Sequence, residues 1–505
     1  MLLWKALVNI ALLGTDRHQL GSDHQAALEE LGIDVNQDAA EVVLEGGGVF
    51  HMMRKAGRQL DQYTGAFPST DDYQEETICS PKASQMLHEI RYGKQAPALV
   101  EFIDLLVQHQ QILPPEMLPE LIEQAQKSPE SWEQLRPCIG QRGLWLIDQN
   151  PAWKHLNAPQ HPALWETSGR AERLGLFRHL RETDPPKSIE LLQATWATES
   201  LTSKKAFLKC LEFKVCPVDE AFLETCLDEG QKSIRPIAAR LLAQLPGAAL
   251  QQRMQERLHQ LCKAQDGQLE FNLPDQVEDQ MIRDGINPSL QWYRGGLKAS
   301  RLVQLVAMVN PCFWQEKLEM EVKECLEVLL RNDYAELLLQ AICQATALHR
   351  NEDWLKVLAQ SWLAEEQENL WNNSAADLLL EVLPNALFNQ LASHHLQQLA
   401  TIPEENTPLD RLLKLEQQNW SKALTATFIP LFRDWLASDE ATAWGGWNLR
   451  QIIKIAAYRI PPYLFPAVNA AWPREHPVWG AWEKDIEAFL STLKFREQMR
   501  EEFEG

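Results

Sequence analysis

Residues 219–246 read DEAFLETCLDEGQKSIRPIAARLLAQLP. Apolar residues recur at i, i+3 and i+4 on both sides of a short polar turn, the pattern of two amphipathic helices. Pro217 opens the first helix at a position where a missing N–H is tolerated. Neither helix is long enough to bury its apolar face alone, so the unit needs neighbours on both sides.

Those neighbours emerge when the chain is shifted against itself by 31 residues. Trp165, Trp196 and Leu227 then share a column, as do Arg173, Lys204 and Arg235. Leu176, Phe207 and Ala238 form a third column, and Leu180, Leu211 and Leu242 a fourth; Pro186 aligns with Pro217. Apolar columns four residues apart lie on one helix face. Stacked helix pairs of this kind make an α-solenoid. With Asp228 in its turn and Arg235 entering its second helix, the 219–246 unit is similar to a HEAT repeat, in which such Asp and Arg residues ladder between units.

Helical periodicity continues almost throughout, in LVEFIDLLVQ, PEMLPELIEQA, RLVQLVAMV and EVKECLEVLLR among others. The expected class is all-α: a HEAT-like α-solenoid of stacked helix pairs with a Trp-rich helical C-terminal region. Its expected divisions are an N-terminal helical region over 1–158, the repeats over 159–262, and a polar connection or insertion over 263–296. Helical pairs follow over 297–400 and the Trp-rich region over 401–505. One stretch departs from helical period: Glu41–Leu44, EVVL, precedes Gly46, Gly47 and Gly48 and reads as a short strand or a loop. Leu3, Leu7, Ile10 and Leu13 predict a first helix that stops at Gly14, not a secretory signal.

The 505 residues carry 70 Asp and Glu against 48 Lys and Arg, a formal charge of −22. That balance opposes a protein whose main surface grips nucleic acid or anionic lipid. From Trp165 to Cys262, however, 14 Lys and Arg meet 13 Asp and Glu, a net +1 that leaves −23 on the rest. Nine Cys without a CxxC pair fit reduced, buried thiols. No apolar run reaches the roughly 18 residues of a membrane span. A cytoplasmic protein is expected.

Chemistry leaves no local trace. GxxxxGK[ST], HExxH, GxSxG and Cys/His metal spacings are absent from the sequence, so no catalytic, cofactor or metal residue is nominated. His394 and His395 are adjacent and diverge on a helix. Residues 140–153, GQRGLWLIDQNPAW, combine glycines that permit close backbone approach with Arg142, Trp145 and Trp153, residue types that dominate interface hot spots. They serve either as a packed junction or as a partner-binding anchor. The column of Arg173, Lys204 and Arg235 is likewise either a structural ladder or a binding ridge. The 18 Trp concentrate toward the C-terminus, including Trp444, Trp447, Trp472, Trp479 and Trp482.

With LLGTDR at 12–17, MMRKAG at 52–57 and RDGI at 283–286, the 140–153 motif resembles an uncharacterised family of bacterial helical proteins. Members are encoded beside MoxR-type AAA ATPases, von Willebrand factor A domain proteins and SWIM zinc-finger proteins. The resemblance implies a HEAT-like fold and a place in a multi-protein, chaperone-like system, with no established activity. A non-enzymatic scaffold or adaptor is therefore expected, with Arg142, Trp145, Trp153, Arg173, Lys204 and Arg235 as candidate contacts. The alternative is a HEAT-like nucleic-acid-binding or DNA-repair protein.

Overall fold

The computed structural model describes residues 2–15, 20–55, 77–153, 156, 165–265, 268–273, 276–290, 296–366, 370–371, 373–442 and 446–504. Trp444, Glu368, Asp16, Arg17, Ala56 and Gly57 lie outside them. Among the described residues the protein is all-α, with 27 α-helices, one two-stranded hairpin and a single parallel bridge between Ile78 and Ile112. None of the helices among the described residues is long and apolar enough to cross a membrane. The chain forms two compact units, 1–73 and 74–505.

The first unit holds α1 (Leu2–Leu13), α2 (Ser22–Glu30) and α3 (Ala39–Lys55) around Leu7, Leu28, Ile33 and Val42. Helix α1 stops at Gly14, whose φ of +95° and bond to the Ile10 carbonyl make a left-handed cap. Glu41–Leu44, expected to be strand or loop, is helical. Val42 and Gly46 are buried one turn apart, and a Cβ on Gly46 would stand 3.0 Å from Leu7 and 3.3 Å from Leu28. The missing side chain at Gly46 lets α3 sit against α1 and α2, so packing overrides the local preference of the EVVL and triple-glycine run.

The second unit begins with α4 (Pro81–Tyr92), α5 (Leu99–Gln108), α6 (Leu118–Ala125), α7 (Pro129–Leu135) and α8 (Gly140–Gln149). The repeat region follows as α9 (Arg170–Thr183), α10 (Pro185–Thr195), α11 (Leu201–Phe213), α12 (Glu220–Leu227), α13 (Arg235–Ala243) and α14 (Ala249–Leu261). Asp184 and Ser200 cap α10 and α11. Helix α11 packs on both α9 and α13.

The expected polar connection contains a hairpin that periodicity does not announce: β1 (Cys262–Gln265) pairs antiparallel with β2 (Gln268–Phe271), then α15 (Asp279–Arg283). Its strands bury only Cys262 and Leu269, too few alternating positions to register as strands. Helices resume with α16 (Gly296–Met308), α17 (Cys312–Leu318), α18 (Val322–Leu330), α19 (Ala335–His349), α20 (Glu352–Leu363), α21 (Asn373–Glu381) and α22 (Asn385–Gln398). The last are α23 (Pro408–Leu413), α24 (Lys422–Leu436), α25 (Trp447–Arg459), α26 (Phe465–Asn469) and the 26-residue α27 (Trp479–Glu504).

Two apolar cores divide this unit. One runs from Trp165 to Leu493; the other gathers residues from Cys79 to Trp153 and is completed by Phe495, Met499 and Phe503. Helix α27 thus belongs to both cores and returns the C-terminus to α4 and α5.

Candidate functional site

The 140–153 motif folds as α8 and the turn after it. Gly140 takes a φ of +61°, and a Cβ on Gly143 would meet Ile139 at 2.5 Å. The missing side chain at Gly143 leaves room for Ile139 at the start of α8, and α8 packs on α6. Trp153 is buried, and its indole N–H donates to Glu123 Oε2 on α6 at 2.8 Å. Arg142 and Trp145 stay half-buried on α8. The motif therefore separates into an internal anchor, Trp153, and two side chains that keep a surface.

The first basic column is assembled by a repeated three-part contact. Arg173 lies 5.6 Å over the Trp165 ring and forks onto Glu199, with Nη2 to Oε2 at 3.3 Å. One repeat later Lys204 Nζ lies 5.0 Å over Trp196 and 2.7 Å from Glu229 Oε1. Cation, ring and carboxylate come from adjoining helix pairs, and each supports the next: the indole shields the cation from water while the carboxylate neutralises it. Arg235 completes the column differently, because Leu227 replaces the ring; its Nε donates to the Glu229 carbonyl at 3.0 Å. Glu199 and Glu229 fall in no column of their own kind, so nothing in the sequence marks them as partners.

Nor does sequence mark the deepest ion pair of the region. Arg181 and Asp219, 2% and 0% exposed, meet through two 2.7 Å bonds. Arg181 also donates to the Lys214 carbonyl at 2.5 Å. The RDGI motif forms a second buried hub. Asp284 is fully buried and accepts from Arg253 at 2.9 and 3.0 Å and pairs with Arg257 at 2.6 Å. Arg283 reaches Asp228 at 2.7 and 2.9 Å and Glu224 at 3.2 Å, and touches Asp284 at 3.4 Å, so the two carboxylate groups share one network. Those bonds from Arg283 hold the Asp228 carboxyl below its usual range. The next residue, Gly285, sits against α13: it has a φ of +96° and no room for a Cβ beside Ala239.

The Trp-rich region is mainly core. Trp435, Trp472, Trp479 and Trp482 are buried, with Phe432 in edge contact with Trp472 and Trp482. Arg450 stacks 4.0 Å over Trp482 and Arg433 5.1 Å over Trp472. Trp447 alone among these described tryptophans is exposed, at 59%. His394 and His395 line a half-open cleft of about 270 Å³ between α18, α20 and α22, with Lys323, Glu327 and Glu366 at its edges. Among the described residues no group of three His, Cys, Asp or Glu is placed to hold a metal ion.

A model of a family of unknown function, DUF5691, matches residues 6–503. The chain belongs to the DUF5691 family. No curated protein and no solved structure matches it. The DUF5691 match spans both compact units, so α8, the Trp–cation ladder and the Asp284 hub all fall within the family's own sequence.

Proposed function

We propose that this DUF5691 protein is a cytoplasmic, non-enzymatic scaffold or adaptor built as a HEAT-like α-solenoid. The observation that carries the reading is a spacing that recurs among its side-chain bonds. Arg173–Glu199, Lys204–Glu229, Arg253–Asp284, Asn389–Asn419, Gln418–Leu383, Arg433–Val468 and Trp354–Gln315 join residues 25 to 39 apart. That is about one helix pair, the separation expected when each pair stacks on the next. Solenoids use their extended surfaces to hold other proteins.

The family resemblance supplies the partner classes: a MoxR-type AAA ATPase and a von Willebrand factor A domain protein, in a chaperone-like assembly. Arg142 and Trp145 are the nominated contacts, being hot-spot types that remain half-buried on α8. Trp153, Arg173, Lys204 and Arg235 instead brace the scaffold. Because the column's cations already have partners inside the chain, a nucleic-acid groove along that column has little to support it.

The test is affinity capture of the tagged protein from its native cells, with and without ATP, followed by mass spectrometry. Recovery of an AAA ATPase or a von Willebrand factor A protein, reduced by Arg142→Ala and Trp145→Ala with helicity unchanged, is expected. Recovery of neither class with the wild-type chain would sink the reading.

A further inference from the structure

The 31-residue shift aligns a second basic column, five residues beyond the first: Arg178 on α9, Lys209 on α11 and Arg240 on α13. Five residues turn a helix by about 140°, which carries this column from the inter-helix seam to the surface. Lys209 and Arg240 are exposed and Arg178 is half-buried, its guanidinium beside the Cys210 thiol of the next repeat. Unlike Arg173 and Lys204, none of the three is ion-paired among the described residues.

Because α11 packs on both α9 and α13, the three helices that carry these cations stand side by side, at the roughly 10 Å spacing of packed helices. Lys205, exposed one turn before Lys209, adds a fourth positive charge. The exposed acids on the same helices are Glu182 and Glu212. This ridge lies in a stretch, Trp165 to Cys262, whose charge is +1 in a chain of −22.

We propose that the Arg178–Lys209–Arg240 ridge docks an extended acidic peptide segment of a partner protein. The proposal rests on the scaffold reading and names its partner chemistry. A peptide in the extended polyproline II form turns once per three residues and advances about 3.1 Å per residue, so acidic residues at every third position share one face about 9 Å apart, close to the spacing of the helices that carry the cations. Arg at both ends suits bidentate recognition of carboxylates. A nucleic acid fits less well: its affinity rests on many phosphate contacts, more than the four cations of the ridge supply.

The probe is a fluorescein-labelled peptide of about twelve residues with Glu at every third position, titrated into the full chain and followed by anisotropy. Binding should fall roughly tenfold as NaCl rises from about 50 to about 300 mM, as exposed charges are screened. The triple variant Arg178→Glu/Lys209→Glu/Arg240→Glu should weaken it at least about tenfold with helicity and melting temperature unchanged. Lys356→Glu, exposed on α20, should leave it intact. No peptide binding, or equal binding by the triple variant, overturns the proposal. Tighter, ridge-dependent binding of a single-stranded oligonucleotide of equal charge also overturns it and assigns the ridge to nucleic acid. Cellular capture of partners that survives the triple variant removes the ridge while keeping the scaffold; loss of capture by the wild-type chain removes the scaffold itself.

Discussion

Arg496 Nε on α27 donates to Glu101 Oε2 on α5 at 2.5 Å, across 395 residues of chain. The same guanidinium caps the end of α25 through the Ala457 and Ile460 carbonyls, at 2.7 and 2.8 Å. With its side chain 6% exposed, Arg496 is the polar centre of the joint between the two cores of unit 74–505. Arg496→Met should destabilise the protein by about 3–5 kcal/mol, since it strands a carboxylate and two carbonyls. Arg496→Met/Glu101→Met should recover part of that loss. Urea unfolding followed by circular dichroism decides; a loss under about 1 kcal/mol would mean that Arg500, 3.1 Å from Glu101, replaces it.

The Trp–cation ladder makes a second prediction, in coupling energy. Lys204 and Glu229 are 6% and 18% exposed at the side chain, so their attraction is only partly screened, and Trp196 further desolvates the ammonium. A double-mutant cycle of Lys204→Met and Glu229→Gln should return a coupling of about 1–2 kcal/mol. The same cycle on the exposed pair Lys187–Glu190 should return under about 0.5 kcal/mol. Equal couplings would remove the ladder's structural role.

Acid sensitivity should trace to His349. Its Nε2–H donates to the Met308 carbonyl at 3.2 Å, and its Nδ1 faces the Gln251 amide at 3.4 Å. Burial pushes its pKa down to about 4, so the folded chain holds it neutral while the unfolded chain protonates it from about pH 6.5 downward. The stability it confers is fully present above about pH 6.5 and is lost as pH falls toward 4. Between about pH 7 and pH 5 the loss is roughly 2 kcal/mol. His349→Gln should flatten this part of the pH–stability curve relative to wild type; parallel curves would exclude His349 as the source.

Much of this arrangement is legible in sequence because helices announce themselves by period. The 31-residue columns place Trp165, Trp196 and Leu227 in the core, where all three are buried. What stays illegible is pairing at a distance. Glu199, Glu229, Asp219 and Glu101 are ordinary acidic residues until tertiary packing sets each against its cation. The same blindness leaves the first basic column open to both readings, ladder and ridge, although five positions on Lys209 and Arg240 of an equivalent column are exposed. The hairpin at Cys262–Phe271 is missed because each strand is only four residues long.

Gly46, Gly47 and Gly48 carry the last prediction, because local preference and packing disagree there most sharply. All three lie inside α3, where each glycine costs about 1 kcal/mol relative to alanine. A Cβ on Gly47 or Gly48 meets nothing within 4 Å, whereas on Gly46 it would press on Leu7 and Leu28. Gly47→Ala and Gly48→Ala should therefore each stabilise the 1–73 unit, by about 0.5–1 kcal/mol. Gly46→Ala should gain nothing or lose stability, since the helix benefit is offset by overpacking. Hydrogen exchange of the α3 amides separates these outcomes residue by residue: slower exchange in the first two variants and not in the third is expected. A stabilising Gly46→Ala would mean that α1 and α2 are not held against α3 at that position.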